Sequence, residues 1–191
     1  MGCGHIRAFV RSWPVTERTL PVATRAAGAT AGDERLTFDV FFDQEKGRLF
    51  RALCLVTRNR FEAEELTQDA FLAMFERWDR VGTLDDPAAY LYRTAMNAFR
   101  SRHRRAMLAA KRTIGLMASD DRIAEIDADD VVVRALAPLS ARQRAAVVLT
   151  DLLGYSSEEA GRMLGIRAST VRTHADRAHR DLRTWMGEDH D

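Results

Sequence analysis

The sequence predicts an all-α protein built from two small helical domains, and three features of it carry that expectation. Apolar residues recur at spacings of three and four along most of the chain. Strand-like alternation is scarce, and Ala, Leu, Arg and Glu, all good helix formers, are plentiful. Charge is segregated, although the net charge is only +1. Seven basic residues and no acid lie between Arg93 and Arg112. Six acids face one arginine between Met117 and Asp130. Six arginines face two aspartates between Arg162 and Arg183. A basic, acidic, basic order suits two polyanion-binding modules joined by an acidic connector.

The first 34 residues hold Pro14, Pro21, Gly28 and Gly32 and keep no periodicity, so they are expected to be a flexible extension. A helix follows from Leu36 to Arg58, with Phe38, Phe41, Phe42, Leu49, Leu53 and Val56 as its apolar stripe. The second helix is expected over Glu62–Trp78. Its apolar side is Ala63, Leu66, Ala70, Phe71, Met74, Phe75 and Trp78. Its other side carries Glu65, Gln68, Asp69, Leu72 and Glu76. Residues 79–86 form a loop around Gly82. Asp86-Pro87 opens a third helix, because Asp caps an N-terminus and Pro fits its first position. That helix runs to about Arg105 with a basic exposed side. Residues 107–130 begin helical, turn acidic and lose their stripe, as a linker does.

Four short helices are expected in the second domain, residues 131–186, after a first domain over 35–106; residues 187–191 are a tail. Val131–Leu136 is the first. Ser140 with Gln143, and Ser156 with Glu159, make capping boxes that start the second and third. Gly154 stops the second, at about Leu152. Gly165-Ile166-Arg167 is a tight turn, and Ser169 is placed as the cap of the fourth helix, which ends near Trp185. The third helix, the turn and the fourth form a helix-turn-helix. Ala160, Met163, Leu164, Ile166 and Val171 supply its apolar crossing, and Gly161 permits close backbone approach. Val171, Ala175, Ala178 and Leu182 bury one side of the last helix. Thr170, Arg172, Thr173, Asp176, Arg177 and Arg180 are thereby turned outward. Arginine at such positions pairs with guanine, and the N-terminal half of a recognition helix reads base edges. Asp176, four residues after Arg172, is placed to pair with it.

The chemistry of other classes is absent from the sequence. It shows no paired catalytic carboxylates, Ser/His/Asp set, phosphate-binding glycine loop or metal-ligand cluster, so no catalytic residues, no metal and no cofactor are expected. Cys3 and Cys54 make no CxxC pair, and Cys54 is expected in the core. His174 and His179 are assigned to DNA or solvent. No apolar run reaches the ~20 residues of a membrane helix, so no membrane insertion and a cytoplasmic setting are expected. Of 29 cations 27 are arginine, which suits phosphate and guanine contacts, although a GC-rich genome accounts for most of the bias.

Two ordered sets of motifs resemble the extracytoplasmic-function sigma factors of the sigma-70 family. The first set is Ala63-Glu64-Glu65-Leu66-Thr67-Gln68-Asp69-Ala70-Phe71, then Tyr90-Leu91-Tyr92-Arg93-Thr94-Ala95-Met96-Asn97 with Arg104-Arg105, which resembles domain 2. The second is Leu139-Ser140-Ala141-Arg142-Gln143-Arg144, Gly154-Tyr155-Ser156-Ser157-Glu158-Glu159 and Ser169-Thr170-Val171-Arg172, which resembles domain 4. The resemblance covers about residues 36–185. It implies a bacterial initiation factor that lends core RNA polymerase its promoter specificity, with promoter DNA and an anti-sigma factor as further partners. It assigns Glu65, Gln68, Asp69 and Leu72 to the clamp helices of the polymerase. Val81 and Gly82, in a loop that takes one flipped base, together with Arg93, Asn97, Arg100, Arg104 and Arg105, are assigned to the −10 element. Ser169, Thr170, Arg172, Thr173 and Arg177 are assigned to the −35 element. Trp78, Tyr90 and Tyr92 are either base-stacking or core residues, Trp78 being taken as core. The acidic linker is implied to enter the active cleft. Glu65, Ser140, Tyr90, Thr150 and Asp176 depart from the commoner family residues. Thr150 and Asp176, both on the DNA-reading side, make the −35 preference unreadable. The alternative is a stand-alone helix-turn-helix regulator, which would need a sensor domain in the first half.

Overall fold

The computed structural model describes residues 36–112 and 131–188; the N-terminal 35 residues, the acidic connector 113–130 and the last three residues lie outside it. Among the described residues there are eight α-helices and no strand.

Helix α1 (Phe38–Thr57) starts where the Thr37 hydroxyl accepts from the Val40 amide, an N-cap one residue inside the expected start. It ends at Arg58, whose backbone is left-handed (φ 59°) and whose amide donates to the Cys54 carbonyl. The break before α2 (Arg60–Phe75) is therefore only two residues long. Asn59 caps α2 by accepting from the Glu62 amide. Helix α2 stops three residues before the expected end. Trp78 belongs instead to a single turn, α3 (Trp78–Val81), so part of the expected loop is helical. Asp86 caps α4 (Pro87–Arg112) through the Ala89 amide, as its sequence requires, and α4 runs seven residues past the expected end. Helices α1, α2 and α4 enclose Leu49, Leu53, Val56, Leu66, Met74, Leu91 and Met96, all essentially inaccessible to water. Cys54 and Trp78 join this core, as expected. Desolvation pushes the Cys54 thiol up from 9.0 to about 11.

The second module contains α5 (Val131–Leu136), α6 (Ala141–Val147), α7 (Ser157–Leu164) and α8 (Ala168–Glu188). Both expected capping boxes form: Ser140 with Gln143, and Ser156 with Glu159. Helix α6 continues into a π-helical turn, Val148–Leu152, which the sequence does not announce. Gly154 (φ 77°) and Gly165 (φ 59°) supply the left-handed residues that end these two segments. Ser169 does not cap α8. The helix begins at Ala168, the Thr170 and Val171 amides donate to the Arg167 carbonyl, and Ser169 lies inside its first turn. The stripe Val171, Ala175, Ala178 and Leu182 is buried as expected, and so are Ala160, Met163 and Leu164 across the crossing. A Cβ at Gly161 would lie 2.8 Å from the Ile166 carbonyl oxygen.

The modules touch along a seam formed by α1 and α4 on one side and by α6, the π turn and α7 on the other. The Tyr155 ring meets the Tyr92 ring edge-on at 5.8 Å. Burial first, then the negative charges of Asp86 and Glu45, push the Tyr155 hydroxyl up. The Arg144 side chain is buried and donates to the Val56 carbonyl across the seam (3.0 Å) and to the Leu139 carbonyl on its own side. Arg58 donates in the opposite direction, to the Ala137 carbonyl (3.0 Å).

Two outcomes follow from this packing. Gly161→Ala raises helix propensity by ~1 kcal/mol. It will nevertheless destabilise the protein by about 1–3 kcal/mol, because the methyl meets rigid backbone; thermal melting followed by circular dichroism reads the sign. In a Cys3→Ser background, Cys54 will resist a thiol reagent at pH 8 in the native chain and react at once in urea. The thiol stays neutral well past its ordinary range, so its contribution to stability is complete below pH 9 and disappears as pH rises toward 11.

Candidate polymerase and promoter interface

Three faces concentrate exposed chemistry. The first is on α2. Glu65, Gln68, Asp69 and Leu72 are all exposed and occupy one stripe at spacings of three, one and three. Arg102 of α4 reaches across and pairs with both acids, at 2.6 Å to Glu65 and 2.7 Å to Asp69. Continuing the stripe in both directions are Phe61, 57% exposed, and Phe75, 60% exposed, with Leu72 at 61% between them. Sequence reasoning placed Phe75 in the core and did not single out Phe61. The signal was available: positions 61, 65, 68, 72 and 75 repeat at 4, 3, 4 and 3. The Phe75 ring rests edge-on against Phe38 at 4.9 Å, which fixes its orientation without covering it. Exposed apolar residues grouped in this way mark an interaction surface.

The second face is on α4. Arg93, Asn97, Arg100 and Arg104 are exposed and follow one another at spacings of four, three and four, with Arg105 beside them. Arg100 approaches the Asn97 side-chain oxygen at 3.5 Å, and Arg105 donates to the Ser101 carbonyl. The loop before α4 does not offer Val81. Its side chain is wholly buried beneath the loop, so the expected contact of Val81 with a base is corrected to a packing role. Gly82 stays partly accessible, and a Cβ there would strike the Trp78 ring. Tyr92 is likewise buried in the seam and presents no ring to DNA; Tyr90 is half-buried against the core.

The third face is the exposed side of α8: Ser169, Arg172, Thr173, Asp176, Arg177 and Arg180, with Thr170 half-buried. Arg172 pairs with Glu158 of α7 at 3.1 Å, and not with Asp176 as its spacing suggested. The pair leans the guanidinium toward the helix-turn-helix entrance. Thr173 donates its hydroxyl to the Ser169 carbonyl. His179 is not a DNA or solvent residue. It lies 2.5 Å from the Asp151 carboxylate with both side chains 12% exposed, tying α8 to the π turn. Thr150 is buried and donates to the Ala146 carbonyl, so no residue at that position faces DNA here. His174 has its pKa lowered, by partial burial first and then by Arg142 and Arg177, so it stays neutral at neutral pH. Among the described residues no cluster of three His, Cys, Asp or Glu could hold a metal, and no helix is long and apolar enough to cross a membrane.

Two helical modules, one ending in a helix-turn-helix and each carrying a basic face, are the layout of a DNA-binding protein. Comparison with known proteins is more specific. Sigma-70 region 2 matches residues 41–108, and sigma-70 region 4 matches 129–182. The ECF RNA polymerase sigma factor SigM of Mycobacterium tuberculosis is 33% identical, over 84% of this chain and 82% of its own. CarQ of Myxococcus xanthus, an RNA polymerase sigma factor, is 33% identical over 79% of this chain and 90% of its own. In fold, the chain resembles the sigma factor RpoE of Bartonella quintana, solved with the anti-sigma factor NepR. That match has a TM-score of 0.65 at 22% identity and covers 78% of this chain and 96% of that one. CnrH, solved with the cytosolic domain of CnrY, matches with a TM-score of 0.53 at 23% identity, over 80% and 88% of the two chains. The chain belongs to the sigma-70 family, among its extracytoplasmic-function members. It is a non-enzymatic factor that directs transcription initiation, and the stand-alone regulator is not favoured.

The His179–Asp151 contact is nearly dry. Asp151→Ala is expected to cost about 1–3 kcal/mol, since it strands a half-buried polar partner. Urea unfolding of the variant beside the parent measures that loss.

Proposed function

We propose how the three faces divide the work of initiation. The α2 stripe of Glu65, Gln68, Asp69 and Leu72, extended by Phe61 and Phe75, docks on the clamp helices of the polymerase largest subunit. Its alternation of acid, amide and large apolar side chains suits a partner helix that is basic and apolar by turns. The α4 stripe follows the −10 element: Arg93, Arg100, Arg104 and Arg105 lie along the phosphates, Asn97 meets a base, and the loop at Gly82 meets one turned out of the stack. The exposed side of α8 enters the major groove at −35, with Arg172 and Arg177 on guanines and Ser169, Thr170 and Thr173 on phosphate or base. The observation that supports this reading most is the spacing of Arg93, Asn97, Arg100 and Arg104. It makes one cationic edge on a helix whose N-terminal half packs its opposite edge into the core.

Module boundaries at 35–106 and 131–186 fit this division. The acidic connector, proposed to enter the active cleft, lies outside the described residues. We extend to this chain an anti-sigma partner, supported by the complexes in which RpoE and CnrH were solved. Activity is placed in the cytoplasm, where polymerase works.

Transcription in vitro tests the reading. Purified chain is added to core polymerase on a fragmented genomic library, and the RNA 5′ ends are sequenced. Discrete starts with a shared pair of upstream motifs are expected. Gln68→Ala should abolish all starts together. Arg172→Ala should relax one −35 position by about 1–3 kcal/mol of discrimination. Arg104→Ala should weaken every promoter alike and lower the salt slope by about one. Starts unaffected by all three substitutions would overturn the assignment.

A further inference from the structure

The apolar part of the α2 stripe continues onto α1. Phe75 and Phe42 are both exposed, and both lie against the half-buried Phe38, at ring separations of 4.9 and 6.1 Å. With Leu72 they make one apolar patch across the start of α1 and the end of α2. Phe71 closes its floor, edge-on to Phe42 at 4.8 Å. Acids rim the patch: Asp39 and Asp43 on α1, and Glu65, Asp69 and Glu76 around the end of α2, all exposed. Lys46, Arg77 and Arg102 pair with some of these acids, and the balance of the group stays negative. Apolar side chains grouped inside an acidic rim suit an occupant that is apolar on one side and basic beside it.

The chain itself carries such a segment. No periodicity persists through its first 34 residues, but within one short run Ile6, Phe9, Val10 and Trp13 stand at i, i+3, i+4 and i+7. That is the anchor spacing of a helix laid in an apolar groove. Arg7 and Arg11, four residues apart, stand beside the row, and no acid occurs before Glu17. Pro14 marks the end of the run. A run this short is below the length at which a helix holds in water alone, so a surface must supply its order. The connection also fits. The described chain begins at Leu36, two residues before Phe38, and so at the edge of the patch. About two dozen residues separate Trp13 from that point, and a tether of that length reaches ~25–30 Å. Helix α2, with 16 residues at ~1.5 Å each, is about as long. A segment tethered so closely meets the patch at an effective concentration on the order of millimolar, so even a weak contact keeps it covered.

Resting on the reading of the α2 stripe as the polymerase-docking face, we propose that residues 5–13 fold back as a helix onto the patch of Phe38, Phe42, Leu72 and Phe75 and compete there with core polymerase. Ile6, Phe9, Val10 and Trp13 bury against the exposed rings. Arg7 and Arg11 face the acids at the rim. The segment repeats the pattern that the stripe suits in its polymerase partner, basic and apolar by turns, so the two occupants exclude each other. The N-terminal extension thereby sets a threshold: polymerase binds only by displacing it.

Nuclear magnetic resonance on the full chain tests this. Cys54 is buried, so a nitroxide label can be placed on Cys3 alone. Amide signals around Phe42 and from Leu72 to Glu76 should broaden more than those elsewhere in the chain. Phe9→Asp with Trp13→Asp should remove that broadening, with the fold checked by circular dichroism. Arg7→Glu with Arg11→Glu should weaken it, and Arg7→Lys with Arg11→Lys should keep it. Titrated with core polymerase, the Phe9→Asp, Trp13→Asp chain should bind about tenfold more tightly than the parent, the gain expected if the segment covers the face roughly nine-tenths of the time. Signals that stay sharp around Phe42 and Phe75 would overturn the proposal, as would a double variant that binds polymerase no more tightly. Broadening that passes from a labelled chain to a separate, isotope-enriched one would make a second copy the occupant and overturn it too. The two readings fail separately: polymerase binding unmoved by Gln68→Ala overturns the docking face, whereas sharp signals in the free chain overturn the fold-back.

Discussion

A helix leaves its last carbonyls without partners, and a buried helix end must find donors elsewhere. Much of this molecule's architecture follows from how that requirement is met. Three of its helix ends are resolved locally by left-handed residues, Arg58, Gly154 and Gly165. Two further carbonyls, on Val56 and Ala137, are resolved by arginines from the opposite module. Arg144 can serve this purpose while buried because a guanidinium carries five donors and stays charged, so it needs several oxygens around it. The Leu139 carbonyl on its own side is one of them, which ties the α5–α6 corner to the seam. Removing Arg144 would therefore disturb both the module and its docking.

What was legible in the sequence is what is local. The Ser140–Gln143 and Ser156–Glu159 boxes, the Asp86-Pro87 start, the Gly161 approach and the Val171 stripe depend on residues within a few positions of one another. All appear where their spacing put them. The start of α8 moved by two residues because the Arg167 carbonyl, and not the Ser169 side chain, organises its first turn. Trp78 kept its core role while changing helix, since Phe38 and Phe41 hold its ring from α1.

The features that were not legible are long-range. Arg102 pairs with acids 33 and 37 residues away, and His179 with an acid 28 residues away. Arg172 chose Glu158 over the nearer Asp176. Helical spacing ranks partners within one helix and is silent on partners across a crossing. Val81 illustrates the same limit: a short apolar residue between loop residues gives no hint whether it points into the core or out of it. The candidate surfaces themselves survive this limit better than their details. An exposed stripe is defined by the same periodicity that defines the buried one, which is why Phe61 and Phe75 fall into line once the helix boundaries are known.

The π turn at Val148–Leu152 carries a consequence for how such a chain tolerates change in length. A single π turn amounts to one residue inserted into an α-helix. Here the Leu153 amide donates to Val148 and the Tyr155 amide to Leu149, both reaching further back than an α-helix allows. Deleting one residue from this stretch would restore a regular helix and rotate everything after it by about 100° relative to α6. Asp151 would swing away from His179, and Tyr155 away from Tyr92. Indels are usually harmless when they fall at a loop edge, but in this chain the stretch before Gly154 is a phase-setting spacer, and its length is under as tight a constraint as any core side chain.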